Sequence, residues 1–352
     1  MSLHDRVLGC LLGGACGDAL GAPVEFLTRA EIQTMYGPGG ITDFTDIIDD
    51  FVGAVTDETQ MLLFTVEGLI VAYLHHFMKG ECHTPTIVHR AYLRWFATQG
   101  GSFFTRSHKK GLAGWLAWDD RLWERRATGN TCMTALHDAV NAGQPAKNDS
   151  KGSGTVGRDA PFGFVARVTG VPQAFNLAVE TARTTHGHPS ACFSSGALAA
   201  TIAHIVEGND VQEAVERTLP ILQRHKKAGE VRAALENALR LRQEHDWRDH
   251  LSELGEGWHA EDALAIAVLC ALAAETPREA IIAAVNHGGA SDTTGAITGN
   301  IVGALHGPSC LPNEWAEHVE LRDAIEVLAQ DFTAVIEGRA HLEELGRQYP
   351  GR

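Results

Sequence analysis

Basic side chains are scarce in this 352-residue sequence, where 29 Lys and Arg stand against 44 Asp and Glu for a formal net charge of −15. Nucleic-acid-binding proteins normally carry a basic face, so we expect no nucleic-acid partner. An acidic protein that binds an anionic ligand must attract it locally, through metal ions, helix N-termini or the backbone amides of glycine loops.

Paired cysteines and long apolar runs are also lacking. The seven cysteines are scattered, odd in number and without a C-x-x-C pair, which argues against a disulfide framework or structural zinc and favours a reducing compartment. The apolar run at 264–274 is too short to span a bilayer, and the segment at 7–16 lacks the charge pattern of a secretory signal. We therefore expect a cytoplasmic protein without a membrane anchor.

Alternating strand patterns are rare, whereas helical periodicity recurs along the whole chain. We predict an all-α fold that forms one compact domain, residues 1–352. After a first helix and a loop at 36–53, a long helix is expected. Asp57 is its expected N-cap residue, with Gln60 three residues later resembling the second residue of a capping box, and Thr56 is the alternative N-cap residue. The region 100–123 is predicted to be irregular. Further helices are expected at 85–96, 172–185, 190–207, 211–225, 230–245, 260–274, 278–286, 293–306 and 321–346.

The stretch 286–300, NHGGASDTTGAITGN, is central to the interpretation. Gly288 and Gly289 allow one helix to stop and the chain to reverse, and Ser291 or Asp292 then caps the next helix. Glycines recur every fourth residue in two helices, where each costs about 1 kcal/mol relative to alanine. They are Gly295, Gly299, Gly303 and Gly307 in the second helix, and Gly9, Gly13, Gly17 and Gly21 at the N-terminus. Such stripes allow another backbone to approach closely, either in an ordinary core or around a site.

Hydroxyl and carboxylate groups cluster at helix ends, which indicates oxygen ligands for a hard cation such as Mg²⁺ or Mn²⁺ as well as ordinary caps. They are Thr56, Asp57 and Glu58 at one helix start, Asp292 and Thr293 at another, and Asp18 and Glu25 after the first helix. The glycine-rich stretch 146–163 is either a domain boundary or a phosphate-binding loop. No H-E-x-x-H or G-x-S-x-G motif occurs, and His186 on its own reads as a hydrogen-bonded structural residue.

Together these motifs resemble the ADP-ribosylglycohydrolase family, which includes ADP-ribosylarginine hydrolases and the dinitrogenase reductase activating glycohydrolase. The resemblance covers nearly the whole chain. The motifs are GDALGAPVE at 17–25, TDETQM at 56–61, GNTC at 129–132, NDSKGSGTVGR at 148–158, THGHPSA at 185–191, GWHAEDALAIA at 257–267 and GGASDT at 288–293. The resemblance implies a compact all-α fold with two adjacent Mg²⁺ or Mn²⁺ ions in a central cleft.

The resemblance also assigns roles to residues. Thr56, Asp57 and Glu58 match the first metal-binding motif, Asp292 the carboxylate that bridges both ions, and Thr293 a neighbouring ligand. Glu25 matches a glutamate that gates or activates the site, so the expected catalytic groups are Glu25, Glu58 and Asp292. The expected substrate-binding residues are Lys151, Gly152, Ser153, Gly154, Thr155, Arg158 and His186.

Two residues depart from the family pattern. Glu58 stands where the family usually has Asp, and it is one methylene longer but still able to bind a cation. Ala290 stands where the family has a metal-ligating Asp, and alanine has no ligand atom. The resemblance therefore implies a weakened second metal site and reduced activity.

The function expected is hydrolysis of the bond between ADP-ribose and a modified protein side chain, with arginine preferred, on an ADP-ribosylated protein substrate. Two alternatives remain open. One is an immunity protein that neutralises an ADP-ribosyltransferase toxin by occluding it. The other is a hydrolase of a different ADP-ribose linkage, such as a serine or other O-linkage or a free nucleotide.

Overall fold

The computed structural model describes residues 1–48, 51–80, 82–101 and 114–350, and these form one almost entirely helical body, as predicted. The first eight helices are α1 (Leu3–Gly21), α2 (Arg29–Tyr36), α3 (Asp57–Lys79), α4 (Thr84–Thr98), α5 (Asn130–His137), α6 (Phe162–Thr169), α7 (Val171–Ala182) and α8 (Pro189–Val206). The others are α9 (Val211–Gln223), α10 (Gly229–Leu241), α11 (Ala260–Ala273), α12 (Pro277–Val285), α13 (Ser291–His306), α14 (Asn313–His318), α15 (Arg322–Ile336) and α16 (Leu342–Gln348). The strands β1 (Asp46–Ile48) and β2 (Phe51–Val52) pair in a two-stranded antiparallel sheet.

Helices α1 and α13 pack against each other along their two glycine stripes. A Cβ atom added at Gly13 would overlap the carbonyl oxygen of Gly299, and one added at Gly17 would overlap that of Gly295. Both helices are buried over most of their length. The prediction that each stripe accommodates another backbone is confirmed, and the backbone that each accommodates is the other stripe.

The remaining helices surround this central pair. Helix α3 packs between α4 and α15, while α8 contacts α6, α7, α9 and α11. One apolar core runs through all of them, and all seven cysteines are free thiols, as expected from their spacing. Among the described residues, three helical segments are long and apolar enough to cross a membrane by length and composition: Leu3–Val24, Asp57–Met78 and Pro189–Val206. Most of each segment is buried inside the protein, so its apolar character is that of a core helix.

Several helix predictions were wrong in detail. The helix expected over 321–346 is two helices, because the chain turns at Gly338, whose φ of +67° ends α15. Helix α3 is capped by Thr56 and not by Asp57, since the Thr56 hydroxyl accepts a hydrogen bond from the Glu58 amide. The short helices α2, α5, α6 and α14 were not predicted. Of the region 100–123, residues 102–113 lie outside the described part, and 114–123 contain two short 3-10 turns.

Candidate active site

A cavity of about 300 Å³ opens where the N-termini of α3 and α13 meet. The starts of these two helices and several loop segments line it. The lining residues are Glu25, Phe26, Asp57, Glu58, Ala127, Thr128, Gly129, Asn130, Thr131, Cys132, Gly152, Ser153, Gly154, His186, Trp258, Ala290, Asp292 and Thr293. The cavity therefore brings together residues from motifs that are more than 200 positions apart in the sequence.

Asp18, near the end of α1, fixes the start of α3 behind this cavity. Its buried carboxylate accepts hydrogen bonds from the Thr56 amide at 3.0 Å and hydroxyl at 2.7 Å, and from the Thr59 amide at 3.1 Å and hydroxyl at 2.5 Å. Burial raises the pKa of Asp18 to about 6, against the effect of these hydrogen bonds. Asp18 thus positions Thr56 at the edge of the acidic cluster.

Glu58, Asp292 and Thr293 are connected by hydrogen bonds in the cavity. The Thr293 hydroxyl donates to Glu58 Oε1 at 2.8 Å, and the Thr293 amide donates to Asp292 Oδ1 at 2.7 Å. The Thr56 hydroxyl lies 3.4 Å from Asp292 Oδ2. Glu58 lies against Gly157, where any side chain would collide with its Oε2 atom. The absence of a side chain at Gly157 is what makes room for the longer glutamate.

Asp57 and Glu25 are each fixed by contacts with a neighbouring backbone. Asp57 Oδ2 accepts a hydrogen bond of 3.0 Å from the amide of Gly129, the residue preceding α5. Glu25 is held through its backbone, because the Phe26 amide donates to the Gly289 carbonyl and the Gly289 amide donates to the Leu27 carbonyl, both at 3.2 Å. Gly289 can serve as this partner because its φ is +118°, in agreement with the predicted glycine turn.

The four carboxyl groups Glu25, Asp57, Glu58 and Asp292 share one cavity. Burial raises the pKa of each of them, and the negative charge of neighbouring carboxylates raises it further. Of the described residues that line the cavity, none is Lys or Arg. Full ionisation of the cluster is therefore unfavourable unless a cation neutralises it.

This donor set fits a hard divalent cation. The oxygen atoms of Thr56, Asp57, Glu58, Asp292 and Thr293 are the ligand type that Mg²⁺ and Mn²⁺ prefer. Within the described part of the chain, Glu58 Oε2 is buried and has no hydrogen-bond partner. Four of the five predicted ligands line the cavity and Thr56 borders Asp292, and the role of all five in metal binding stays a prediction.

Ala290 lines the same cavity and is 2 % exposed. It occupies the residue before α13, where no side chain caps the helix, so the predicted cap by Ser291 or Asp292 was wrong. Both of those residues are instead in the first turn. The side chain that faces the cavity at position 290 is therefore a methyl group, which cannot ligate a metal ion.

The predicted substrate-binding residues separate into two sets. Gly152, Ser153, Gly154 and His186 line the cavity. Burial lowers the pKa of His186 to about 3, so its imidazole is neutral, and its Nδ1 lies 2.9 Å from the Thr185 hydroxyl.

Lys151, Thr155 and Arg158 do not line the cavity. Lys151 forms ion pairs with Glu230 and Glu261. Arg158 is fully buried beneath the loop, donates to the Thr155 hydroxyl at 3.3 Å and lies 4.3 Å from the centre of the Tyr92 ring. In this geometry the three side chains hold the glycine loop in place, and direct substrate contact by any of them stays a prediction.

Two residues at the rim were not among the predicted site residues. Phe26 and Trp258 stack with their ring centres 5.2 Å apart and their planes 20° from parallel. Phe26 directly follows the motif GDALGAPVE and Trp258 lies within the motif GWHAEDALAIA, but the two residues are 232 positions apart. A single sequence carries no signal that would pair them.

Comparison with known proteins gives a consistent result. A sequence model of the family described as ADP-ribosylglycohydrolase matches residues 1–341. The chain is similar to the ADP-ribosyl-[dinitrogen reductase] glycohydrolase of Rhodospirillum rubrum, at 26 % identity over 339 residues that cover 94 % of this chain and 95 % of the relative. It is also similar to the ADP-ribosylarginine hydrolase Tri1 of Serratia proteamaculans, at 25 % identity over 93 % of this chain and 79 % of the relative.

A solved structure has the same fold. It is described as an ADP-ribosylglycohydrolase-related protein complex, and it superposes with a TM-score of 0.70 at 25 % sequence identity. The match covers 95 % of this chain and 99 % of the other chain.

Proposed function

The chain belongs to the ADP-ribosylglycohydrolase family, as its motifs predicted, and we propose from this premise that it removes ADP-ribose from modified arginine side chains of proteins with the help of Mg²⁺ or Mn²⁺. Family membership supports hydrolysis of an ADP-ribosyl bond. The arginine linkage is supported by the similarity to proteins described as ADP-ribosylarginine hydrolases. The observation that carries the proposal is the group of four carboxyl groups around one cavity.

The chemistry requires that the bond between ribose C1 and the arginine nitrogen breaks while a bond from C1 to a water oxygen forms. Positive charge develops on the ribose ring in such a reaction. Asp57, Glu58 and Asp292 place negative charge where it would stabilise that charge. The carboxylates are held by hydrogen bonds to Gly129 and Thr293, so little reorganisation is needed during the reaction.

A proton must also move from the attacking water to the leaving nitrogen. Of the expected catalytic groups, Glu25 is better placed than Glu58 to carry this proton, because Glu58 Oε1 already accepts a hydrogen bond from Thr293. Burial and neighbouring carboxylates raise the pKa of Glu25, which suits a group that accepts and then donates a proton near neutral pH. Its backbone pairing with Gly289 keeps the carboxyl group at the cavity wall.

The proposed metal ligands are Thr56, Asp57, Glu58, Asp292 and Thr293. A bound Mg²⁺ or Mn²⁺ ion would neutralise the clustered carboxylates and lower the pKa of nearby water. Since Ala290 supplies no oxygen, we propose one firmly held ion and a weak second site, with turnover reduced more than ADP-ribose binding. We also propose a cytoplasmic location, where ADP-ribosylated target proteins would be met.

The direct test is incubation of the protein and Mg²⁺ with an arginine-ADP-ribosylated protein, with release of ADP-ribose followed over time. A serine-ADP-ribosylated protein in parallel distinguishes the linkages. Loss of release in Asp57→Asn, which keeps the size of the side chain, is expected. Release from the serine linkage alone would refute the arginine assignment.

Ala290 also favours a second candidate function, in which the protein occludes an ADP-ribosyltransferase toxin and catalysis is secondary. Such a protein needs the cavity surface but not a full set of metal ligands. The two proposals differ in one result: occlusion predicts toxin inhibition that Asp57→Asn leaves intact, whereas reversal of modification predicts that this variant no longer protects.

A further inference from the structure

The aromatic pair Phe26 and Trp258 is exposed at the rim of the candidate active site. Phe26 is 71 % exposed and Trp258 is 36 % exposed, although both line the cavity. Large aromatic side chains usually bury most of their surface, and exposed rings at the mouth of a cavity provide flat surfaces for a ligand. With one face on Trp258, Phe26 leaves its other face open.

The backbone of Phe26 is held in a conformation that is unfavourable for any residue with a Cβ atom. Its φ is +70°, in the left-handed region. The two hydrogen bonds that link residues 26 and 27 to Gly289 hold it there, directly beside Glu25. Conformational strain of this kind persists where the surrounding structure imposes it, and it is concentrated at functional sites.

Two carboxyl groups lie beside the pair. Glu25 precedes Phe26, and the exposed Glu256 accepts a hydrogen bond of 3.2 Å from the Trp258 indole Nε1. Aromatic faces attract cations, and a planar guanidinium group both stacks on such faces and donates to carboxylates. A bound cation would also favour the ionised form of both carboxyl groups.

Other parts of the lining have a different character. Residues 128–131 and 152–154 contribute hydroxyl groups, an amide side chain and glycine backbone, and the Ser153 amide donates a hydrogen bond of 3.0 Å to the Trp258 carbonyl. Such groups can donate hydrogen bonds to sugar and diphosphate oxygens without adding negative charge. The lining therefore offers groups that suit an anion as well as the aromatic pair, which suits a flat cation.

We propose that the Phe26 and Trp258 pair, with the carboxylates of Glu25 and Glu256, binds the guanidinium group of the ADP-ribosylated arginine. This rests on the proposed hydrolysis of an arginine linkage and identifies where its acceptor side chain is recognised. The nucleotide part then lies against residues 128–131 and 152–154. The two carboxylates and two rings select a planar cation over a neutral acceptor such as a serine hydroxyl.

The binding test uses the full chain with saturating ADP-ribose and Mg²⁺, and it does not depend on turnover. The indole N–H resonance of Trp258, assigned from its loss in Trp258→Phe, is followed by NMR while N-methylguanidine is added, with neutral N-methylurea as the matched ligand. We expect a saturable shift with methylguanidine and none with methylurea. Equal responses to the two ligands, or no response at Trp258, would overturn the proposal.

The kinetic test compares Phe26→Leu with Phe26→Tyr and Trp258→Leu, since leucine keeps apolar bulk and removes the ring. For an ADP-ribosylarginine peptide, each leucine variant should raise KM by about tenfold, with kcat changed less and Phe26→Tyr close to the parent protein. Trp118→Leu, at an exposed tryptophan outside the cavity, is the control. An unchanged KM in both leucine variants contradicts the proposal. If the parent protein cleaves no arginine linkage but methylguanidine still shifts Trp258, the guanidinium site stands and the proposed reaction fails.

Discussion

Replacement of Ala290 by aspartate tests the proposed metal site most directly. The residue is buried, lines the cavity and directly precedes α13, so an added carboxylate joins those of Asp57, Glu58 and Asp292. Without metal, a further buried carboxylate beside groups that already resist ionisation should destabilise the protein by about 1–3 kcal/mol. With metal, the same carboxylate becomes a ligand.

The expected gain follows from mass action. A tenfold tighter second ion corresponds to about 1.4 kcal/mol, and an ion at 100 times its Kd stabilises the folded state by about 2.7 kcal/mol. For a chain of this length, each kcal/mol shifts Tm by about 2 °C or less. The Mg²⁺-dependent rise in Tm should therefore be several degrees larger in Ala290→Asp than in the parent protein.

Ala290→Asn is the matched control. Asparagine and aspartate cap a helix start about equally well, so a change due to capping of α13 appears in both variants. Only the carboxylate adds charge for a cation. Thermal unfolding with and without Mg²⁺ separates the two effects, and the rate of ADP-ribose release should rise by about tenfold or more in Ala290→Asp alone. If both variants gain equally from Mg²⁺ and release ADP-ribose at the parent rate, position 290 is not a metal ligand here.

Four further outcomes are expected. Gly13→Ala should lower the free energy of unfolding by about 1–3 kcal/mol, because the added methyl group forces α1 away from α13. Gly346→Ala, in a helix with open space around the glycine, should leave stability unchanged or raise it. Equal unfolding midpoints of the two variants in urea would contradict the close packing of α1 and α13. Asp57→Ala and Asp292→Ala should each abolish the Mg²⁺-dependent rise in Tm, and a retained rise in both would show that the ion binds elsewhere. Lys151→Met should lower the free energy of unfolding by about 1–2 kcal/mol, because it leaves the buried Glu261 without its ion pair. It should change the ADP-ribose affinity, measured by calorimetry, by less than about threefold. A large loss of affinity would show that Lys151 binds the substrate. The Tm of the metal-free protein should fall as pH rises from 6.5 to 8. The reason is that carboxyl groups whose pKa is raised in the folded state stabilise it only while they are protonated. Saturating Mg²⁺ should remove this dependence of Tm on pH.

The pH window matters because other groups act in the opposite direction below it. Burial lowers the pKa of His89 to about 4 and that of His186 to about 3. Such histidines destabilise the folded state as pH falls below about 6.5, since only the unfolded state accepts their protons freely. As pH rises above 6.5 the unfolded-state histidines lose their remaining protons, which raises stability, so a fall in stability between pH 6.5 and 8 belongs to the carboxyl groups.

The parts of the fold that could be predicted from the sequence are those with local signals. Glycine at every fourth position predicts a close helix contact, and the Gly288–Gly289 turn predicts that Asp292 begins a new element. The stripe does not say which backbone it meets. Helices α2 and α5 were not predicted because eight residues contain too little periodicity to distinguish a helix from a loop.

The site could be predicted only where its residues match a motif. Glu25, Asp57, Glu58 and Asp292 were all named, and they meet in one cavity. The position of Lys151 outside the cavity was not foreseen, because its partners Glu230 and Glu261 come from helices much later in the chain. A motif identifies which residue types are present, but an ion pair across 79 or 110 positions depends on tertiary packing.

The glycine stripes and the acidic cluster are structurally coupled. Gly21, the last residue of the first stripe, packs directly on the Ser291 carbonyl and the Asp292 amide, with no room for a side chain. Three residues earlier, Asp18 binds Thr56, and Thr56 in turn lies 3.4 Å from Asp292. The distance between α1 and α13 therefore sets the distance between the start of α3 and the carboxylate of Asp292. A site for small, hard cations needs oxygen atoms placed within a few tenths of an ångström, and contact between two backbones leaves less freedom than contact between flexible side chains. For the metal site proposed above, that requirement gives a functional reason for glycine stripes that cost helix stability.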